Sequence, residues 1–334
     1  MKPQQRLFVA ALVLWLPSTP LAAHHSPAAY DLQAQVTVSG TVTDYEWGNP
    51  HVYVSVRDDA NRVWVVEAFP STAMKQYGWS AQTLAAGQRV TITGNPGRNP
   101  ARSILSLRTL RKADAVLFDA AAALAPPRAA APSTATARAT SLAGTWSTAI
   151  GPAFFTFLGP NVKLPATPAG AAAIAEFRDT ANPGVDCVPF TAPLYMIVPG
   201  FRSIEVRQDV VLIRGEDAAV ERTVHLGATH ASAVASVQGH SVGQWEGAVL
   251  VVDTTHFAPH RLGNGAGLPS GAQKHVVECF SLTPDGALTY AFVLEDSEYL
   301  TQPLTGTAQW AYRPDVAFVA TPCDRTNARR FLAE

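Results

Sequence analysis

Three histidines near the start of the chain, His24, His25 and His51, have the donor type and spacing to hold a metal ion. If the mature chain begins at His24, its terminal amine and ring Nδ1 chelate one ion, and a second imidazole completes a set of three nitrogens. Amine and imidazole nitrogens favour Cu(II), which also heads the divalent affinity order. His51 is the natural second ligand, because Pro50 fixes the backbone just before it, and His25 is the alternate. Asp31 and Glu46 are candidate outer partners of those ligands. The competing reading is a solvated N-terminal tail beside a His51 that merely bonds a loop.

A second group lies far downstream: His240, Trp245, Glu246, Asp253, His256, Glu278, Glu295 and Asp296. Asp253 falls inside an apolar run, Leu250-Val251-Val252-Asp253-Thr254, and a carboxylate there needs a partner, for which Arg222 is the best candidate. Gly247 suits a hairpin that puts Glu246 at its tip. Asp253 or Glu246, with His240 beside it, are the catalytic candidates for general acid–base chemistry. A salt bridge plus turn-forming polar residues explains the same pattern without catalysis. His256 and His260 have helical ligand spacing, but Pro259 forbids a regular helix between them. The chain has no Gly-x-Ser-x-Gly elbow, no Walker loop and no His-Glu-x-x-His helix.

The elements that must position these groups are mostly strands. Residues 1–23 read as an export leader: Lys2 and Arg6 precede the apolar run Leu7–Leu16, Pro17 and Pro20 break it, and Leu21-Ala22-Ala23 offers a cleavage site. That run is too short for the roughly 20 residues a spanning helix needs, so no membrane span is expected. Residues 24–112 alternate apolar and polar positions over five short stretches. With one helical interval at Ser71–Leu84, the order is that of a small oligonucleotide-binding-like five-stranded barrel. Residues 113–141 form an Ala/Pro-rich linker, with 11 Ala and 3 Pro between Ala120 and Ala139. Within it, Asp114–Leu124 is expected as a short helix. Residues 142–334 hold about eight candidate antiparallel strands, Val316–Thr321 the last of them, and predict a lipocalin-like β-barrel. The fold class is therefore all-β. Trp146, Arg222, Trp245, Tyr290 and Phe292 are the candidate ligand-binding residues of the larger barrel, unless its aromatics simply fill the core.

Three cysteines in an exported protein allow one disulfide. Cys187 and Cys323 both lie in Pro-flanked loops and are paired here; Cys279 reads as a buried strand residue. Closing so long a loop stabilises by about 5 kcal/mol in the chain-entropy view. Net charge is −1 over the full sequence, with 25 basic and 26 acidic residues. No basic excess is present to neutralise a phosphate backbone, so nucleic acid is not an expected partner.

His24-His25-Ser26, Glu46-Trp47-Gly48-Asn49-Pro50-His51, Gly78-Trp79 and Gly94-Asn95-Pro96 together resemble an uncharacterised family of exported bacterial domains, over residues 24–112. Gly239-His240-Ser241-Val242-Gly243-Gln244-Trp245-Glu246-Gly247, with Leu250–Thr254, Arg222-Thr223, Glu295-Asp296 and Cys323, is similar to a second uncharacterised exported group. This chain departs from the second pattern at Leu226-Gly227-Ala228 and at Glu278-Cys279. Neither resemblance brings an activity with it. The N-terminal histidine arrangement resembles the histidine brace of lytic polysaccharide monooxygenases and of some periplasmic copper carriers. The expectation is a periplasmic or secreted binding protein, holding Cu(II) through His24 and His51 and a small apolar molecule in the larger barrel. Its rivals are an enzyme in that barrel and an envelope scaffold.

Overall fold

The computed structural model describes residues 30–124, 138–158, 162–231 and 233–331. Two closed β-barrels make up most of it.

The smaller barrel uses β1 (Val36–Glu46), β2 (Tyr53–Asp58), β3 (Val63–Glu67), β4 (Arg89–Pro96) and β5 (Ile104–Lys112). β1 pairs antiparallel with both β2 and β4, while β3 closes the ring by pairing parallel with β5. β1 is long enough to serve two neighbours because it bends: Gly40 faces the Arg57 carbonyl so closely that no side chain fits, and the pairing with β2 slips between Val42 and Asp44. Inward positions include Val38 and Val42, Val54 and Val56, Ile92, Leu107 and Leu110, giving a predominantly apolar core. α1 (Ser71–Lys75) sits between β3 and β4 and drops Met74 into that core.

The stretch expected as a helix at 114–124 divides instead into β6 (Ala115–Asp119), which extends the sheet beside β5, and α2 (Ala120–Leu124). Phe118 points inward where its neighbours do not, a period of two that the flanking alanines disguise. β6 thus joins the sheet of the small barrel from within the stretch 113–141 read as linker.

The larger barrel begins with β7 (Gly144–Thr148). It continues through α3 (Pro152–Leu158), α4 (Pro168–Glu176), α5 (Leu194–Ile197), β8 (Gly200–Val206), β9 (Val210–Gly215), β10 (Glu221–Leu226), β11 (His240–Glu246) and β12 (Val249–Thr255). β13 (His260–Gly265) and β14 (Leu268–Ser270) form a separate hairpin. β15 (His275–Leu282), β16 (Leu288–Glu295), β17 (Leu304–Tyr312) and α6 (Arg325–Ala328) complete the chain. The nine barrel strands run β7-β8-β9-β10-β11-β12-β15-β16-β17 and return to β7. All neighbours are antiparallel except β10 and β11, whose connecting loop carries the chain back to start a parallel pair. Because β17 already closes onto β7, no edge remains for Val316–Thr321. That segment is irregular, with a single bridge from Thr321 to Asp217.

The barrel interior is packed. Trp146, Phe280, Tyr290 and Trp310 are completely buried, and Tyr290 stacks on Trp310 with ring centroids 5.8 Å apart. Arg222 reaches into this interior and is held by a full set of partners. Its guanidinium donates to both carboxylate oxygens of Glu278, to Ser241 Oγ at 2.9 Å and to Thr254 Oγ1 at 2.7 Å, while Tyr290 donates to Glu278 at 2.8 Å. The partner of Arg222 is therefore Glu278 and not Asp253. Asp253 points outward, because the inward positions of β12 are Leu250, Val252 and Thr254.

Candidate functional site between the barrels

α1 of the small barrel docks against the large one. Thr72 donates a short hydrogen bond to Asp217, Lys75 Nζ lies 3.1 Å from the buried Glu216 carboxylate, and Gln76 donates to the Thr148 carbonyl at 2.9 Å. The end of the chain crosses back over the small barrel. Asp324 caps α6 through Thr326 N at 2.7 Å, and its own N–H donates to the Asn49 carbonyl at 2.9 Å. Arg330 forms a two-pronged pair with Glu46 at 2.5 and 2.6 Å and covers the Tyr53 ring at 4.3 Å. The disulfide joins Cys187 to Cys323, as expected, and ties this strap to the large barrel. Cys279, expected to be buried, is only half-buried on the outer side of β15.

Between the barrels lies a cleft of about 410 Å³. The small barrel supplies Pro50, Phe69, Ala73 and Tyr77; the large one supplies Ile150, Phe154, Val188, Phe190 and Leu262; Cys187 and Cys323 stand at its wall. Few polar groups face it. Asn49, central to the Asn-Pro-His motif, is committed to structure: its Oδ1 accepts from Ser71 N at 3.0 Å and from Ser71 Oγ at 2.9 Å.

Asp217, His260 and Tyr195 are titratable lining groups of the large barrel. Burial raises the Asp217 carboxyl above the usual range, against the opposing pull of Arg202, Thr72 and Lys75. His260 is held in one neutral form, since Nδ1 accepts from Leu262 N at 3.1 Å and Nε2–H donates to the Pro189 carbonyl at 3.1 Å. Burial, and then the positive charge of Lys274, take its pKa down to about 4. Lys274 is itself buried, bonded to Thr191 Oγ1 at 2.5 Å and the Gly263 carbonyl at 2.6 Å; burial lowers it to about 7 against the pull of Asp296 and Glu278. Apolar walls with a few fixed polar groups suit retention of a small molecule. No hydrogen bond among the described residues joins Asp217 to His260 in an acid–base pair.

The residues singled out from sequence lie elsewhere. Trp146, Tyr290 and Phe292 belong to the barrel core, Arg222 to its buried ion pair, and Trp245 is 43% exposed; none of the five lines the cleft. Glu246 is at the hairpin tip, with Gly247 at positive φ beside it, as expected. His240 is at the other end of β11, roughly 20 Å away along the strand, so these two are not brought together. His240 and Asp253 do meet, through His230, a residue the sequence reading did not select.

His24 and His25 lie outside the described residues. His51 is at the cleft, its Nδ1 3.1 Å from the Ala68 carbonyl and 3.7 Å from Glu67. Glu46 turns to Arg330 and not toward His51, and Asp31 bonds Gln33 N at 3.1 Å.

Residues 13–106 match DUF6152, a family of unknown function. No curated protein matches the chain. Among solved structures, the chain is similar to the crystal structure of the ZRD-deleted mutant of TiaS in complex with agmatine, at 21% identity and a TM-score of 0.18. That likeness covers 23% of this chain and about a fifth of the other, 21%. No helix among the described residues is long and apolar enough to cross a membrane. The disulfide agrees with an oxidising compartment.

Proposed function

We propose that this is an exported binding protein that takes a small, largely apolar molecule between its two barrels. The observation that carries this reading is the cleft itself: about 410 Å³, walled by side chains of both barrels and bounded by the Cys187–Cys323 bridge. Because the interior of the larger barrel is packed, this reading takes the junction with the smaller barrel, not the inside of the larger one, as the binding site. Asp217 at the wall gives the ligand a polar contact that sets its orientation, whereas both ring nitrogens of His260 are already engaged by Leu262 N and the Pro189 carbonyl.

N-phenyl-1-naphthylamine, a neutral apolar fluorophore, tests the proposal. Its emission should rise on binding to the oxidised protein with one site per chain. Val188→Trp, which fills the cleft from a half-buried loop position, should weaken that binding at least about tenfold. Equal binding by wild type and Val188→Trp would place the fluorophore elsewhere and remove the proposal.

A second reading keeps Cu(II) at the N-terminus. Tyr30 OH, 3.3 Å from Glu67, brings the first described residue to the carboxylate that His51 also approaches. His24 is six residues earlier, within reach of His51 if the leader is cleaved after Ala23. A native mass spectrum of exported protein should then begin at His24 and retain one Cu(II), and His51→Ala should lose it. Cleavage elsewhere would end this reading.

A further inference from the structure

The outer wall of the larger barrel gathers imidazoles that the cleft does not use. His225 on β10, His240 on β11, Asp253 on β12 and His275 on β15 occupy outward positions of adjacent strands, because Val224, Ser241, Thr254 and Val276 beside them are buried. His230 joins them from the loop before β11, and His256 from the residue after β12. His230 Nδ1 lies 2.9 Å from His240 Nδ1, and His230 Nε2 lies 2.9 Å from Asp253 Oδ1. The other oxygen of Asp253 is 2.8 Å from His275 Nε2.

We propose that His230, His240 and His256 bind one divalent transition-metal ion of the zinc class, with Asp253 orienting His230. Asp253 accepts from Nε2–H of His230, which leaves Nδ1 of that ring as its lone-pair nitrogen. A carboxylate on the far nitrogen is the usual means of orienting a metal-bound histidine.

Spacing supplies an independent argument. Two nitrogens on one ion, each about 2.0–2.1 Å from it, lie about 3 Å apart, and the His230 and His240 Nδ1 atoms are separated by 2.9 Å. Without metal, one proton bridges the two nitrogens; the ion takes the place of that proton. Rings sharing a tetrahedral ion have centroids roughly 5 Å apart on the same bond lengths. The His230 and His240 rings, 5.1 Å apart, already meet this; His256 stands 5.9 and 6.5 Å from them, nearly parallel to His230, and joins the ion only by turning and moving inward.

His256 adds a backbone observation. It is one of the few non-glycine residues in the left-handed region, at φ 55°, and that conformation sends its ring to the group. As the side chains stand, no three donors among the described residues meet at one point. Binding therefore includes rotation of the rings, which the exposed wall leaves room for. Imidazole nitrogens suit Zn(II), Cu(II) and Ni(II) alike, so the class follows from the donors and the choice of ion from supply.

Zn(II) added to tag-free, oxidised protein, followed by native mass spectrometry and titration calorimetry, tests this site apart from the cleft and the N-terminus. One ion should be retained. His230→Ala and His240→Ala should each weaken retention more than about tenfold, and Asp253→Asn about tenfold through loss of orientation. His51→Ala should leave it unchanged. Co(II) added to wild-type protein should give the strong visible bands of a four-coordinate site, a reading that needs no variant. Absence of stoichiometric Zn(II), its survival in a His230→Ala/His240→Ala double variant, or its loss in His51→Ala would each overturn the proposal.

Discussion

Asn327 clasps the main chain of His51 from the far end of the sequence. Its Oδ1 accepts from His51 N at 3.2 Å and its Nδ2 donates to the His51 carbonyl at 2.9 Å, the pattern of a strand neighbour supplied by one side chain. Asn327→Ala leaves a largely buried N–H and C=O without these partners, at a cost of about 1–3 kcal/mol. Urea unfolding should register that loss, and proteolysis after Arg329 should quicken. No change in either would mean that the strap is held by its other contacts, among them Arg330, Asp324 N–H on the Asn49 carbonyl, and the disulfide.

Cys187 and Cys323 are 136 residues apart, so reduction releases a long loop. The chain-entropy view puts the loss at about 5 kcal/mol as an upper figure. Cys187→Ser/Cys323→Ser should melt well below the wild type and bind the naphthylamine fluorophore more weakly, because both residues stand at the cleft wall. Unaltered fluorophore binding at a temperature where the variant is folded would show that the strap does not shape the site.

His260 and Lys274 make stability rise with pH in two separate windows. Each has a folded pKa below its ordinary value, about 4 against 6.5 and about 7 against 10.5, so the unfolded chain binds more protons between those limits. Stability should fall by about 3 kcal/mol as pH drops from 6.5 to 4, and His260→Gln should flatten that limb. Above pH 7 the Lys274 contribution should return progressively, and Lys274→Met should lack the upward slope. Denaturant midpoints across the range, each variant against wild type, decide both.

Arg222 and Glu278 form an ion pair with almost no exposure inside the barrel. Arg222→Met strands the carboxylate with Tyr290 as its remaining strong partner, a loss of about 3–5 kcal/mol. Arg222→Met/Glu278→Leu removes both charges and should recover most of that, since Ser241 and Thr254 already bond each other at 3.0 Å. A double variant as unstable as the single one would show that the pair itself contributes the stability.

Much of the fold could be read from alternation along single strands. Val38 and Val42 on β1, and Leu288, Tyr290, Phe292 and Leu294 on β16, mark the buried face without help from distant residues. The disulfide was legible because both cysteines sit in loops. Asp253 misled because Val252 and Thr254 beside it give no sign of which takes the inward phase; one step of register exchanges the faces. The cleft has no local signal at all. Its walls come from segments near residues 50, 70, 150, 190 and 260, and only their docking creates a concave surface. His225, His230 and His275 were overlooked for the same reason, although six of the nine histidines fall between residues 225 and 275. Crowding of that kind on alternating strands is the signal that would have found them.

The strap has a consequence for when the cleft comes into being. Ribosomes make proteins from the N-terminus, and Cys323 comes after the last barrel strand, which ends at Tyr312. The small barrel and every strand of the large one precede it, so both can fold while the strap is still unmade. The junction between them acquires its outer wall only once Cys323 has followed the last barrel strand out and the thiols have been oxidised. On the proposed function, ligand capture follows the folding of both barrels: a chain that stalls before Cys323, is clipped ahead of it, or stays in a reducing compartment keeps two intact barrels and lacks a finished pocket.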